Sequence, residues 1–187
     1  MGGSSAAALA ADHPLGSGGD VKRTITLIVN GVERQLEVQD HWLLSDVLRE
    51  QLKLYSVREG CGTAVCGSCT VLLDGRPIAS CLTLAARLDG RRIETVEGLS
   101  QGERLHPIQE AFLEERAFQC GYCTPGYIMA VKGLLDENPD PSEEELLDYL
   151  AGNYCRCAGY PDILRAVNSS RLKLARQRAA AGPPTGS

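Results

Sequence analysis

Gly60-Cys61-Gly62-Thr63-Ala64-Val65-Cys66-Gly67-Ser68-Cys69-Thr70 places three cysteines and three glycines in eleven residues. A fourth cysteine, Cys81, follows Cys69 after eleven intervening positions. The spacing Cys-x4-Cys-x2-Cys, then a distant Cys, is the plant-type arrangement for a [2Fe-2S] cluster. The chemistry accounts for it. Two ferric ions, two sulfides and four thiolates sum to a dianion, and one added electron makes a trianion. Such a centre needs backbone N–H donors around it, so the loop must wrap closely. Gly60, Gly62, Gly67 and Ser68 permit that. Zinc is the alternative, but zinc sites usually pair two CxxC-like turns. His13, His41 and His106 stand apart from these cysteines, against Rieske-type ligation.

The flanks of this loop read as a small mixed sheet covered by a helix. Thr24–Val29 alternates as a strand, Asn30-Gly31 is a type I′ hairpin signal, and Val32–Val38 returns. Ser45 is a candidate cap for a helix with Leu44, Val47, Leu48 and Leu52 on one face. Thr70–Leu73, Asp74-Gly75 and Pro77–Cys81 form a second hairpin, which folds Cys81 back toward the loop. Arg92–Val96 is the last expected strand.

The polar stretch Gly98–Arg104 reads as a linker, and beyond it the pattern turns helical. Pro107 opens a helix with Ile108, Ala111 and Phe112 buried. Thr124-Pro125 opens another with Ile128, Val131 and Leu135. Ser142 and Glu145 form a capping box before Leu146, Leu147 and Leu150. Pro161 opens the last, with Ile163, Leu164 and Val167. The expected division is an arm at 1–20, a sheet unit at 21–98, a helical bundle at 99–175 and a loose tail at 176–187.

The helical part carries a second set. Cys120-x2-Cys123 is followed after 31 residues by Cys155-x-Cys157. Both pairs fall beside expected helix N-termini, where free N–H groups and the helix dipole favour negative charge. Arg156 adds a positive charge, or is an ordinary surface residue. Spacing alone leaves this set open between iron-sulfur and zinc.

Bulk numbers exclude other classes. The 187 residues are 43% hydrophobic and 23% charged, which rules out wholesale disorder, collagen and coiled coil. A formal charge of -5 argues against nucleic-acid binding. The longest apolar run is about half the length a membrane span needs. Residues 1–20 lack Lys and Arg and read as a flexible arm, not a signal peptide, so the expected location is cytoplasmic. In that reducing compartment eight thiols are expected to serve metal binding rather than disulfides.

Taken together, Gly60-Cys61 to Cys69-Thr70, Gln119-Cys120-Gly121-Tyr122-Cys123-Thr124-Pro125-Gly126 and Asn153-Tyr154-Cys155-Arg156-Cys157 with Gly159-Tyr160 resemble one family. It is the small iron-sulfur subunit of the molybdenum hydroxylases (xanthine oxidase, aldehyde oxidoreductase, aerobic carbon monoxide dehydrogenase). The resemblance spans about Ile25 to Val167. It implies an α+β fold, with an N-terminal β-grasp, ferredoxin-like domain before a C-terminal four-helix bundle. It implies two [2Fe-2S] clusters, one on Cys61, Cys66, Cys69 and Cys81, the other on Cys120, Cys123, Cys155 and Cys157. It implies an electron-transfer role, with no catalytic residue on this chain. A large subunit would hold a molybdenum-pterin cofactor and oxidise substrate, and a medium subunit would hold FAD, in a dimer of heterotrimers. The helical cluster would lie next to the pterin, contacted by Gln119 and the Cys157 region. Two positions depart from the family pattern: Ala64, where many members carry Gly, and Ala158, where Thr is common.

Overall fold

The computed structural model describes residues 22–181. The expected arm at 1–20 lies outside them. Five strands form one mixed sheet: β1 (Lys22–Val29), β2 (Val32–Gln39), β3 (Thr70–Leu73), β4 (Arg76–Ala79) and β5 (Arg92–Glu94), in the order β2-β1-β5-β3-β4. Among the described residues only the β1–β5 pairing is parallel. Parallel neighbours need a long crossover, and here that crossover contains the first cysteine loop and the β3–β4 hairpin. This is the expected β-grasp.

Alternation in β1 turns Ile25, Leu27 and Val29 inward onto Val38, Val47, Leu48, Val71 and Ile93. Each such side chain contributes roughly 1.5–3 kcal/mol on burial. The Asn30-Gly31 turn has positive φ at both positions, 51° and 78°, as a type I′ turn requires. Its Asn30 side chain also bonds the residue after β5, accepting from Thr95 N (2.9 Å) and donating to Thr95 Oγ1 (3.0 Å).

The helix after β2 departs from expectation. Ser45 is not its cap. The residue preceding the first turn, α1 (Leu44–Asp46), is Leu43, and Ser45 Oγ is buried with no partner. Tertiary bonds hold this start instead: Leu44 N donates to Thr83 O (2.7 Å) and Ala85 N to Trp42 O (2.9 Å). The helix then widens into a π-helical stretch, Val47–Gln51, closed by Lys53 at φ 58°. The second hairpin is shorter than expected: β4 ends at Ala79, and Cys81 sits in the 3₁₀ turn Ser80–Leu82. Similarly β5 ends at Glu94 and passes into the 3₁₀ turn Val96–Gly98.

Four helices follow: α2 (Pro107–Glu114), α3 (Thr124–Glu137), α4 (Glu143–Leu150) and α5 (Tyr160–Ala181). They enclose a second core of Ile108, Phe112, Tyr127, Met129, Val131, Leu135, Ile163 and Val167, joined by Leu72 from β3. α3 is buried from Gly126 through Val131 because it packs on the sheet as well as on α2 and α4. The Ser142–Glu145 capping box forms as expected. Leu147 does not join the buried stripe of α4; Leu146 and Leu150 do, four residues apart, and Leu147 is 48% exposed. α5 runs past residue 176, where a loose tail is expected, because 165–181 is rich in Arg, Leu and Ala with no breaker before Gly182. Arg178 in its last turn reaches back to Leu135 O (3.1 Å). No helix among the described residues is long and apolar enough to cross a membrane.

α2 carries a pH-sensitive start. His106 Nδ1 accepts from Ile108 N (3.3 Å), and Gln109 Oε1 accepts from His106 N (2.9 Å). Only neutral imidazole can accept. Burial, then the nearby Lys132 ammonium, hold the His106 pKa below its ordinary value of 6.5. A depressed folded pKa means the unfolded chain binds the proton first. The cap therefore contributes in full above about pH 6.5 and is lost as pH falls through the folded pKa. H106N keeps an accepting cap that does not titrate. Melting temperatures of wild type and H106N are expected to run parallel above pH 7 and to diverge below pH 6, wild type falling faster. Parallel curves throughout would refute this account.

Candidate metal centres

The first quartet is built by the 60–69 loop and the 3₁₀ turn after β4. Cys61 is exposed, Cys66 half-buried, and Cys69 and Cys81 are both buried. Backbone N–H groups of Thr63, Val65 and Cys66 all point at Cys61 Sγ, each at 3.4 Å. The Thr63 hydroxyl and these three donors lower its pKa from 9.0 to about 6. Burial, and then Cys69 beside it, push the Cys81 thiol up to about 11, while the Ala64 N–H pulls the other way. Ala64 directs that N–H from a left-handed conformation, φ 59°. Cys81 is drawn onto Cys69 by Ser80, whose N and Oγ both donate to Cys69 O (3.4 and 2.7 Å).

The second quartet lies at two helix starts. Cys123 immediately precedes α3, and Cys155 and Cys157 lie just before α5. Cys155 Sγ accepts from Gly159 N (3.4 Å), and Cys155 N donates to Tyr160 Oη (3.1 Å). The Tyr122 N–H, the Cys157 thiol and the Arg58 charge lower the Cys120 pKa. Burial and the adjacent Cys155 push Cys123 up to about 12. Ala158, like Ala64, is left-handed, φ 58°. Arg156 is exposed and donates to Tyr154 Oη (3.4 Å). Gln119 is exposed, its Nε2 donating to Cys157 O (3.4 Å).

These donor sets fit a charged, multi-sulfur group. In each quartet an exposed thiol, Cys61 or Cys120, is drawn toward thiolate by aimed N–H groups, while a more enclosed one, Cys81 or Cys123, resists ionisation. Burying several thiolates together requires metal cations to compensate them. All eight cysteines are free. Among the described residues no three Cys, His, Asp or Glu gather closely enough for a single ion; a two-iron group spreads its four sulfurs more widely.

The two quartets meet along a seam. Tyr154 N donates to Cys66 O (2.9 Å) and Asn153 Nδ2 to Gly67 O (3.1 Å). Tyr122 Oη donates to Glu59 O (2.7 Å), and Arg58 Nη1 to Gly121 O. Two glycines make the approach possible. A Cβ on Gly126 would lie 2.1 Å from Gly67 O, and one on Gly67 would lie 2.3 Å from Asn153 Nδ2. Gly67, Gly126 and Asn153 lie within the cysteine motifs, whose spacing does not reveal this contact, and Arg58 lies outside them. The only signal was the glycines beside cysteines in both halves.

Comparison with known proteins agrees with the geometry. Residues 27–100 match the 2Fe-2S iron-sulfur cluster binding domain family, and residues 95–168 match the [2Fe-2S] binding domain family. The chain is 50% identical over 143 residues to the nicotine 6-hydroxylase small subunit of Paenarthrobacter nicotinovorans, covering 76% of this chain and 86% of that one. It is 46% identical to the nicotinate dehydrogenase small FeS subunit of Eubacterium barkeri, covering 78% and 93%. Against the aldehyde oxidoreductase of Megalodesulfovibrio gigas identity is 47%, but the match spans only 16% of that longer protein. Among solved structures, quinoline 2-oxidoreductase from Pseudomonas putida 86 superposes with a TM-score of 0.79 at 44% identity, covering 83% of this chain and 97% of that one. With two 2Fe-2S domains in this order and relatives matched along most of their length, this chain belongs to the family of small iron-sulfur, electron-transfer subunits of the molybdenum hydroxylases.

Proposed function

We propose that this chain relays electrons within a cytoplasmic molybdenum hydroxylase, from a molybdenum-pterin site on a large subunit to FAD on a medium subunit. Cys61, Cys66, Cys69 and Cys81 hold one [2Fe-2S] cluster in the ferredoxin-like unit, 21–98. Cys120, Cys123, Cys155 and Cys157 hold the other in the helical unit, 99–175. When bound, each cluster accepts one electron at a time, so a two-electron oxidation on another chain is passed on in single steps.

The residues of this chain prepare for that chemistry. Thr63, Val65 and Cys66 hold their N–H groups on Cys61 Sγ, and Gly159 does so for Cys155. The Cys66–Tyr154 backbone bond keeps the two sets of sulfurs at a fixed separation. Gln119, tethered to Cys157 O, stands exposed beside the second quartet and is the residue for the pterin to meet. The assembly is a dimer of heterotrimers.

The observation that carries this proposal is the pair of four-thiol sets with N–H groups already aimed at sulfur, joined across one seam. Anaerobic native purification tests it. Four iron atoms and four acid-labile sulfides per chain are expected, with two distinct reduced-state EPR signals and two co-purifying chains, one with molybdenum-pterin and one with FAD. A colourless zinc protein, or a chain that purifies alone, would overturn it.

A further inference from the structure

Arg58 belongs to the sheet unit, yet its charge is delivered to the helical one. Its backbone is tied to the first loop, since Arg58 N donates to Ser68 O (3.3 Å) beside Cys69. Its guanidinium crosses the seam, donates to Gly121 O and lies 5.4 Å from the centroid of the Tyr122 ring. Gly121 and Tyr122 are the two residues between Cys120 and Cys123. Tyr122 in turn donates to Glu59 O (2.7 Å), so the grip is reciprocal. Arg58 is half-buried, where a charge is less screened than on an open surface. Among cations near the second quartet, Arg156 is exposed and faces Tyr154, whereas Arg58 is held by a carbonyl and a ring face. Glu59 is the carboxylate next to this clasp, and it is exposed.

Resting on the two-cluster assignment, we infer that Arg58 is a positioning residue that sets the reduction potential of the second cluster relative to the first. Its fixed positive charge on the Cys120–Cys123 loop favours the extra electron on that side of the seam. The first loop thereby biases how the electron is shared between the two centres. Lysine would retain the charge but lose the planar fork and the ring contact.

Potentiometric titration of the assembled holoenzyme, followed by EPR of each cluster, tests this in wild type, R58Q, R58K and Y122F. In R58Q the second cluster's oxidised-to-reduced ratio at a given potential is expected to rise about tenfold, equal to about 59 mV for one electron. The first cluster's ratio is expected to change much less. R58K and Y122F are expected to leave both ratios within about threefold, as neither removes the charge. Equal shifts in both clusters of R58Q, or no shift, overturn the inference; so does a Y122F shift as large as that of R58Q. Should R58Q fail to assemble, R58M, likewise uncharged, decides: a tenfold rise in the second cluster's ratio supports the charge role, and an unmoved ratio refutes it. Iron and sulfide analysis separates the two levels. A wild type without clusters sinks the two-cluster assignment, whereas loaded variants with unmoved potentials sink only the role of Arg58.

Discussion

Replacing Cys120 with serine is expected to abolish turnover with the physiological acceptor while leaving the spectrum of the ferredoxin-like cluster in place. Cys120 is the exposed member of its quartet, with the Tyr122 N–H, the Cys157 thiol and the Arg58 charge all favouring its thiolate. Serine keeps the size of the side chain but not the soft anionic sulfur that binds iron. Loss of a second-sphere partner alone typically costs ten- to a hundredfold in metal affinity, so loss of a ligand should cost about a hundredfold or more. The first quartet is assembled by other residues, Ser80 and the 60–69 loop, and its EPR signal should persist. Wild-type turnover in C120S, with only one cluster left, would show that the second centre is not on the route.

The second large effect is expected from G126A. A Cβ there would lie 2.1 Å from Gly67 O and 3.0 Å from Ser68 Cα, both backbone positions that cannot rotate away. Overpacking typically costs about 1–3 kcal/mol, and a clash with main chain belongs at the top of that range or above. For a chain of this size that corresponds to a melting temperature lower by roughly 5–12 °C. Because the displaced atoms lie between Cys66 and Cys69, iron and sulfide content should fall as well. G152A is the control, since a Cβ at Gly152 meets nothing within 4 Å. It is expected to change stability by less than about 0.5 kcal/mol. Equal melting points for G126A and wild type would mean that the seam is not close-packed in solution.

Local patterns announced most of the elements. The alternation in β1, the two Asx-Gly turns, Pro107 and the Ser142–Glu145 box are short-range signals, and each appears in the structure. The failures were tertiary. Ser45 has the chemistry of a cap, but the Thr83 carbonyl captured the Leu44 N–H instead. Leu147 fits a helical stripe, yet α4 is covered only along Leu146 and Leu150. Cysteine spacing defined two groups of four, and in the structure Cys81 lies beside Cys69, Cys120 beside Cys157 and Cys123 beside Cys155. It could not reveal that the groups touch, because that contact is made by main-chain atoms and by Asn153 reaching across 86 positions to Gly67. Ala64 and Ala158 were visible as departures from the family pattern. That both adopt left-handed backbone, a conformation costing alanine about 1–2 kcal/mol, was not.

The joint at Gly67 and Gly126 has a consequence for how such a protein can change. At Gly67 and Gly126 the approach is set by peptide groups and by the absence of side chains, so it does not depend on the identity of most neighbouring residues. In the proposed relay, substitutions around the two cysteine sets would retune voltage, polarity or docking while leaving the jump length for the electron the same. An insertion, a deletion, or the loss of one of those glycines or of the Asn153 tether would alter it.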